Sequence, residues 1–137
     1  MPVPDRASIL VVEDNPTDVF LISEAIVAYG LQAELKVVED GESAISLIAR
    51  IEADESEPCP QLILLDLNLP GTDGFEVLKR LRESKRCAGT RVIVMSSSGA
   101  ASDRGKSASL GADAYFQKQV DYDRSMEIGG IIQKFLA

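Results

Sequence analysis

The sequence predicts one α/β domain, a parallel sheet covered by helices on both faces. Two observations carry this. Three short runs are apolar at every position: Ile9-Leu10-Val11-Val12, Leu62-Ile63-Leu64-Leu65 and Val92-Ile93-Val94-Met95. Continuous apolar runs suit strands buried on both sides, the usual condition of a parallel sheet. Between the runs lie segments with helical spacing, so strand and helix alternate five times along the chain. That alternation, with right-handed crossovers, gives one parallel sheet with helices on both faces.

Each element has its own signals. The first strand runs into Glu13-Asp14. Asn15 then offers a helix cap, Pro16 the first helical position, and Asp18 a favourable charge in the first turn. Val19, Ile22, Ile26 and Tyr29 share one face of that helix, and Gly30 stops it. A weaker strand, Glu34–Val38, belongs nearer an edge. The second helix spans about 41–51 with Ala44, Ile45 and Ile48 inward, and an exposed acidic loop, residues 52–58, follows it. After the Leu62 strand the third helix covers about 72–84, with Phe75, Leu78 and Leu81 inward. The fourth helix (about 101–110) and fifth helix (about 122–136) are weaker, and flank a short edge strand, Ala114-Tyr115-Phe116. The Gly129-Gly130 pair in the fifth costs about 1 kcal/mol per glycine relative to alanine.

Composition narrows the function. The chain has 137 residues, 45% of them hydrophobic, enough for one domain with a real core. Its net charge of −8 makes it a poor partner for a phosphate backbone, so nucleic acid is set aside. No apolar run approaches the roughly 18 residues a membrane span needs, and the amino terminus lacks the pattern of a secretory signal. Cys59 and Cys87 have neither metal-ligand spacing nor the density of a disulfide scaffold, so reduced thiols are expected. Histidine is absent, which removes the commonest general base and metal ligand.

In an open parallel sheet, ligands bind outside the carboxyl ends of the strands. Reading those ends gives Glu13-Asp14, Asp66, Ser96-Ser97-Ser98 and Lys118. Singly, each has an ordinary explanation: a charge at a helix start, a turn residue, a loop, a solvated lysine. Jointly they place three carboxylates, a hydroxyl cluster and one ammonium on one rim. Such carboxylates repel one another unless one protonates or a cation joins them. An all-oxygen set suits Mg2+, which is typically held by one or two carboxylates plus phosphate oxygens. A carboxylate beside it can act as a nucleophile toward phosphorus, with lysine and hydroxyl holding the phosphoryl oxygens.

These residues, in order and at these spacings, resemble the receiver domain of bacterial response regulators. The motifs are Val12-Glu13-Asp14-Asn15, Leu65-Asp66-Leu67-Asn68-Leu69-Pro70-Gly71, Val94-Met95-Ser96 and Tyr115-Phe116-Gln117-Lys118. The resemblance covers about residues 7–136 and implies a single receiver domain over 1–137 without an output domain. It implies a flavodoxin-like fold with sheet order 2-1-3-4-5. It makes Asp66 the phosphoacceptor, Asp14 a direct Mg2+ ligand, Glu13 a ligand through water, and Asn68 a ligand through its backbone carbonyl. It gives Ser96 the role of switch hydroxyl, Lys118 that of the phosphoryl-binding lysine and Tyr115 that of the switch aromatic.

The implied partners are a sensor histidine kinase, which supplies the phosphoryl group, and a downstream protein target. That target would meet the face built from the fourth helix, fifth strand and fifth helix. The chain would be a cytoplasmic signalling protein, not an enzyme in the ordinary sense. The stretches VEDNPTDVFLISEA and LDLNLPGTDGFEVLKRL further resemble stand-alone regulators that accompany phytochrome-type kinases. The apolar end Ile131–Leu136 is the inward face of the last helix and a candidate homodimer contact.

The family usually follows its lysine with a proline in a cis peptide, whereas Gln119 follows Lys118 here. A cis bond before a non-proline costs about 2.5–4 kcal/mol, so a trans Lys118–Gln119 bond is expected. Two rival readings are a receiver-like module that is never phosphorylated and a small nucleotide-binding protein. The second rests on Ala100–Ser107, which ends in Gly105-Lys106-Ser107 as a permissive phosphate-binding loop does. A phosphatase with an aspartate nucleophile is disfavoured, because the second acid it needs is Asn68 here.

Overall fold

The computed structural model describes residues 6–136, so residues 1–5 and 137 of the expected domain lie outside the described residues. Eleven elements follow in order: β1 Ala7–Val12, α1 Pro16–Ala28, β2 Ala33–Val38, α2 Gly41–Ala53, β3 Leu62–Asp66, α3 Gly74–Glu83, β4 Arg91–Ser96, α4 Ala101–Ser109, β5 Ala114–Gln117, α5 Tyr122–Ser125 and α6 Ile128–Leu136. The five strands form one parallel sheet in the order β2-β1-β3-β4-β5. The alternation of continuous apolar runs with helical segments thus produces the expected architecture, a doubly wound flavodoxin-like sheet.

Period-2 alternation within the continuous runs divides the core into two layers. Leu10, Val12, Ile63, Leu65, Val92 and Val94 face α2 and α3, where Ala44, Leu47, Ile48, Val77, Leu78 and Leu81 meet them. Ile9, Val11, Leu62, Leu64, Ile93 and Met95 face Ile22, Ala25 and Ile26 of α1 and Ile128 and Ile132 of α6. Each fully buried aliphatic side chain contributes roughly 1.5–3 kcal/mol relative to exposure. The two layers therefore fix which residues of β1, β3 and β4 point where, and with them the direction in which each strand end projects.

The fifth helix predicted over 122–136 is two helices, because the chain turns at Met126-Glu127 before α6 begins. The glycine pair is not the interruption. A Cβ on Gly129 would lie 2.3 Å from the Tyr29 ring and 3.0 Å from the Ala25 carbonyl, so glycine permits α6 to approach α1.

The expectation of reduced thiols is also corrected. Cys59 and Cys87 are joined in a disulfide, with their Cα atoms 5.6 Å apart. The two residues are 28 apart in sequence, and neither their spacing nor their number reveals that the loops before β3 and β4 lie side by side. The same loops are cross-linked by polar contacts. Glu52 accepts hydrogen bonds from the Ser84 hydroxyl (2.5 Å) and the Lys85 and Arg86 amides, and Arg86 donates to the carbonyls of Ile51, Asp54 and Glu57. This end of the sheet is a rigid base, leaving the opposite end free for chemistry.

Candidate functional site

β1 and β3 are neighbours while β2 lies on the far side of β1, so the chain reverses its winding direction between them. The carboxyl ends of such a strand pair open a crevice. Val12 pairs with Leu65, which brings the next residues, Glu13 and Asp66, to the crevice together. One carboxylate oxygen each from Glu13, Asp14 and Asp66 lies within 4.8 Å of the others. Glu13 and Asp66 are buried, at 1% and 3% exposure, whereas Asp14 faces solvent.

Local structure aims these groups. Asn15 caps α1 by accepting from the Thr17 amide at 2.9 Å, and its own amide donates to Glu13 Oε2 at 3.2 Å. The Asn68 amide donates to Asp66 Oδ1 at 3.1 Å, a turn that leaves Oδ2 facing Lys118. Gly74 starts α3 directly beneath: a Cβ there would lie 2.5 Å from the Asp66 carbonyl and 2.8 Å from Leu67 Cα. Glycine at this position lets α3 pack against the end of β3.

Lys118 reaches the same crevice from the end of β5, its amide donating to the Ser96 carbonyl at 2.7 Å. Its Nζ lies 2.7 Å from Glu13 Oε1, 2.8 Å from Asp18 Oδ2 and 3.2 Å from Asp66 Oδ2. Burial works against the Lys118 charge, but the contacts with Asp18 and Glu13 and the Asp66 charge more than offset it, so its pKa lies above that of an ordinary lysine. Burial pushes the Glu13 carboxyl up to about 7; Lys118 counteracts this and Asp66 reinforces it.

Glu13 Oε1 is buried against the Lys118 ammonium in an ion-pair contact and has no other polar partner among the described residues. Three carboxylates gathered within 4.8 Å carry more negative charge than the one contacting ammonium neutralises, which fits a divalent cation, the hard oxygen donors matching Mg2+.

The remaining residues of the sequence reading gather at the β4–β5 side. Ser96 is buried at 1% exposure, and its hydroxyl accepts from the Ser98 amide at 3.1 Å. The Tyr115 hydroxyl donates to the Ser98 carbonyl at 2.7 Å. Ser96 pairs in register with Gln117, and Tyr115 with Val94, so Ser96 and Tyr115 are diagonal neighbours on one face, not directly opposite partners. The Lys118–Gln119 peptide is trans, since no cis bond occurs among the described residues. Ser125, buried, donates to the Gln119 carbonyl at 3.2 Å and ties down this loop.

Three participants have no assigned site role from sequence, where Asp18 is only a favourable charge in the first turn of α1 and Ser98 only part of a hydroxyl cluster. Asp18 lies in the first turn of α1, just past the acidic end of β1, and that proximity was its available signal. Ser98 lay inside the serine run but had no distinguishing mark. Arg104, whose guanidinium sits 4.5 Å from the centre of the Tyr115 ring, had no sequence signal. The candidate nucleotide loop 100–107 is not a loop: it continues into α4, with Lys106 stacked 4.3 Å from the centre of the Phe75 ring and the Ser107 hydroxyl donating to the Asp103 carbonyl. Those groups are committed to the helix.

Residues 9–128 match the family model described as the response regulator receiver domain. Response regulator Rcp1 of Synechocystis is 34% identical over 110 residues, covering 80% of this chain and 75% of that protein. The structure of the phosphorylated cyanobacterial phytochrome response regulator RcpA superposes with a TM-score of 0.85 at 33% identity, covering 97% of this chain and 96% of the other. The Mn2+-bound form of Rcp1 gives a TM-score of 0.82 at 31% identity, over 95% and 94% of the two chains. With a parallel 2-1-3-4-5 sheet, an acidic crevice between β1 and β3 and a lysine reaching it from β5, the chain belongs to the response regulator receiver family.

Proposed function

We propose that the chain is the phosphoacceptor of a two-component phosphorelay. It takes a phosphoryl group from a histidine on a partner kinase, of the phytochrome type by similarity to Rcp1 and RcpA, onto Asp66. The observation that carries this is the convergence of the Glu13, Asp14 and Asp66 carboxylates with Lys118 Nζ, 3.2 Å from Asp66 Oδ2. Glu13, Asp14, Asp66 and the backbone carbonyl of Asn68 would hold Mg2+. When bound, the cation neutralises charge between attacking carboxylate and phosphoryl oxygens.

The residues act as follows. An Asp66 carboxylate oxygen attacks phosphorus, the new P–O bond forming as the P–N bond to the donor imidazole breaks, and the electron pair leaves on that imidazole nitrogen. Lys118 neutralises charge developing on the phosphoryl oxygens. The Ser96 hydroxyl, now bound by the Ser98 amide, turns to a phosphoryl oxygen. Because Tyr115 is hydrogen-bonded to the carbonyl of the same Ser98, release of that residue by Ser96 frees Tyr115 as well. One residue thus links the phosphoryl group to the α4–β5 surface, where the downstream target would dock. A partner kinase that phosphorylates its own histidine from ATP would do so in the cytoplasm, and the proposal locates this protein there with it. A homodimer through α6 remains part of the proposal, since α6 presents Ile131 and Leu136 only partly buried.

The test is incubation with acetyl phosphate and Mg2+, followed by intact mass measurement. Wild type is expected to gain one phosphoryl group and Asp66→Ala none. Equal gain in both proteins would remove Asp66 from this role; gain in neither would favour a receiver-like module that is not phosphorylated.

A further inference from the structure

Asp18 lies outside the four receiver motifs quoted above, though inside the longer stretch VEDNPTDVFLISEA, and its Oδ2 is closer to Lys118 Nζ than Asp66 is, 2.8 Å against 3.2 Å. An ammonium has three N–H groups. The three carboxylates around Lys118 are Glu13, Asp18 and Asp66. Two of these, Glu13 and Asp66, belong to the trio gathered within 4.8 Å, and Asp18 does not. A cation at the trio would compete with Lys118 for Glu13 and Asp66 while leaving Asp18 to it.

The backbone gives Asp18 a reason to matter. Lys118 stands on the short link between β5 and α5, followed by Gln119 in a trans peptide. No proline ring restricts the chain there; the Ser125 hydroxyl on the Gln119 carbonyl and the Lys118 amide on the Ser96 carbonyl hold the backbone, and neither holds the lysine side chain. The Gln119 side chain turns back to the Gln117 carbonyl at 2.8 Å, and the next residue, Val120, is fully exposed. Asp18, by contrast, lies in the first turn of α1, a helix fixed by its Asn15 cap and by Ile22 in the core. The contact between them is shielded, with side-chain exposures of 20% for Lys118 and 23% for Asp18. It spans 100 residues of sequence and ties the lysine to a rigid helix.

We propose that Asp18 is the positioning residue of this rim, holding Lys118 Nζ beside Asp66 when a divalent cation engages Glu13 and Asp66, and so setting the rate at which Asp66 is phosphorylated. Asp18 makes no bond to the phosphoryl group; it acts only through Lys118. The rate part rests on the reading of Asp66 as phosphoacceptor, whereas the anchoring part does not.

The test uses Asp18→Ala, Asp18→Asn and Asp18→Glu, with Lys118→Ala alone and combined with Asp18→Ala. The first readout is NMR relaxation of the Lys118 ε-methylene in Mg2+-saturated protein without any phosphoryl donor. Asp18→Ala and Asp18→Asn are expected to mobilise it, and Asp18→Glu to restore order. The second readout is the initial rate of phosphoryl gain from acetyl phosphate at saturating Mg2+. Loss of one charged hydrogen bond at a partly shielded pair is expected to slow Asp18→Ala about tenfold, and to have no effect in the Lys118→Ala background. Asp18→Asn preserves shape, so it carries the test should Asp18→Ala fail to fold. Unchanged Lys118 mobility, or an equal slowing in the Lys118→Ala background, would overturn the role of Asp18. A wild type that gains no phosphoryl group would overturn the Asp66 reading and the rate claim, with the relaxation measurement still deciding the anchor.

Discussion

Substituting alanine for glycine at two positions should move stability in opposite directions. At Gly74 the added Cβ meets the Asp66 carbonyl oxygen at 2.5 Å and Leu67 Cα at 2.8 Å. Both are backbone atoms, held by the sheet through the Leu67 amide on the Met95 carbonyl, so no rotamer change relieves the contact. Overpacking of this kind costs about 1–3 kcal/mol. Replacing glycine in a helix interior returns at most about 1 kcal/mol, and less at the first helical position. The net expectation for Gly74→Ala is a loss of about 1–2 kcal/mol.

Gly105, within α4, has nothing within 4 Å of the new Cβ. There the same change should stabilise by about 0.5–1 kcal/mol. Urea denaturation with unchanged m-value reads both, and a gap of roughly 2 kcal/mol between the variants is expected. Because the displaced atom at Gly74 is the Asp66 carbonyl, Gly74→Ala should also slow phosphorylation, while Gly105→Ala leaves it at the wild-type rate. A Gly74→Ala protein as stable and as reactive as wild type would refute the packing argument beneath the site.

Two further outcomes follow from charge and covalent structure. Reduction of Cys59–Cys87 opens a constraint spanning 28 residues and should lower stability by roughly 3–4 kcal/mol on the chain-entropy scale. Because Arg86 and Glu52 hold the same loops, the phosphorylation rate should stay unchanged, measured with and without a phosphine reductant. For pH, Glu13 has a folded pKa of about 7 against an ordinary 4.5, so the folded state binds its proton more tightly. Stability of the metal-free protein should therefore fall as pH rises from about 5 toward 7. Glu52 and Asp54 are held below their ordinary values by the Ser84 and Ser56 hydroxyls respectively, so their contributions rise with pH chiefly below this window and oppose the Glu13 slope only at its acid end. Glu13→Gln should flatten the profile, and a flat wild-type profile would contradict the assigned environment of Glu13.

The strands were legible because burial on both faces leaves a dense apolar signal, as at Leu62–Leu65. The first helix was legible through Asn15 and Pro16, which act locally. The rim residues followed from the fold, since a parallel sheet presents its strand ends on one side. What the sequence concealed depends on contacts between distant segments. The bridge from Cys59 to Cys87 needs two loops brought together by β3 and β4. The pairing of Asp18 with Lys118 needs α1 set against the end of β5. The role of Gly129 was hidden for the same reason: its glycine character serves the approach of Tyr29, and the helix break falls at Met126-Glu127, where no residue type announces it.

The central claim is that Asp66 carries the phosphoryl group. Borohydride reduction of protein treated with acetyl phosphate and Mg2+, followed by peptide mass spectrometry, converts an aspartyl phosphate into homoserine and so records its position. The account predicts homoserine at position 66 and at no other acidic residue. Homoserine at Asp14, the five-carbon analogue 2-amino-5-hydroxypentanoic acid at Glu13, or the absence of homoserine at position 66 from a protein that has gained a phosphoryl group, would contradict it.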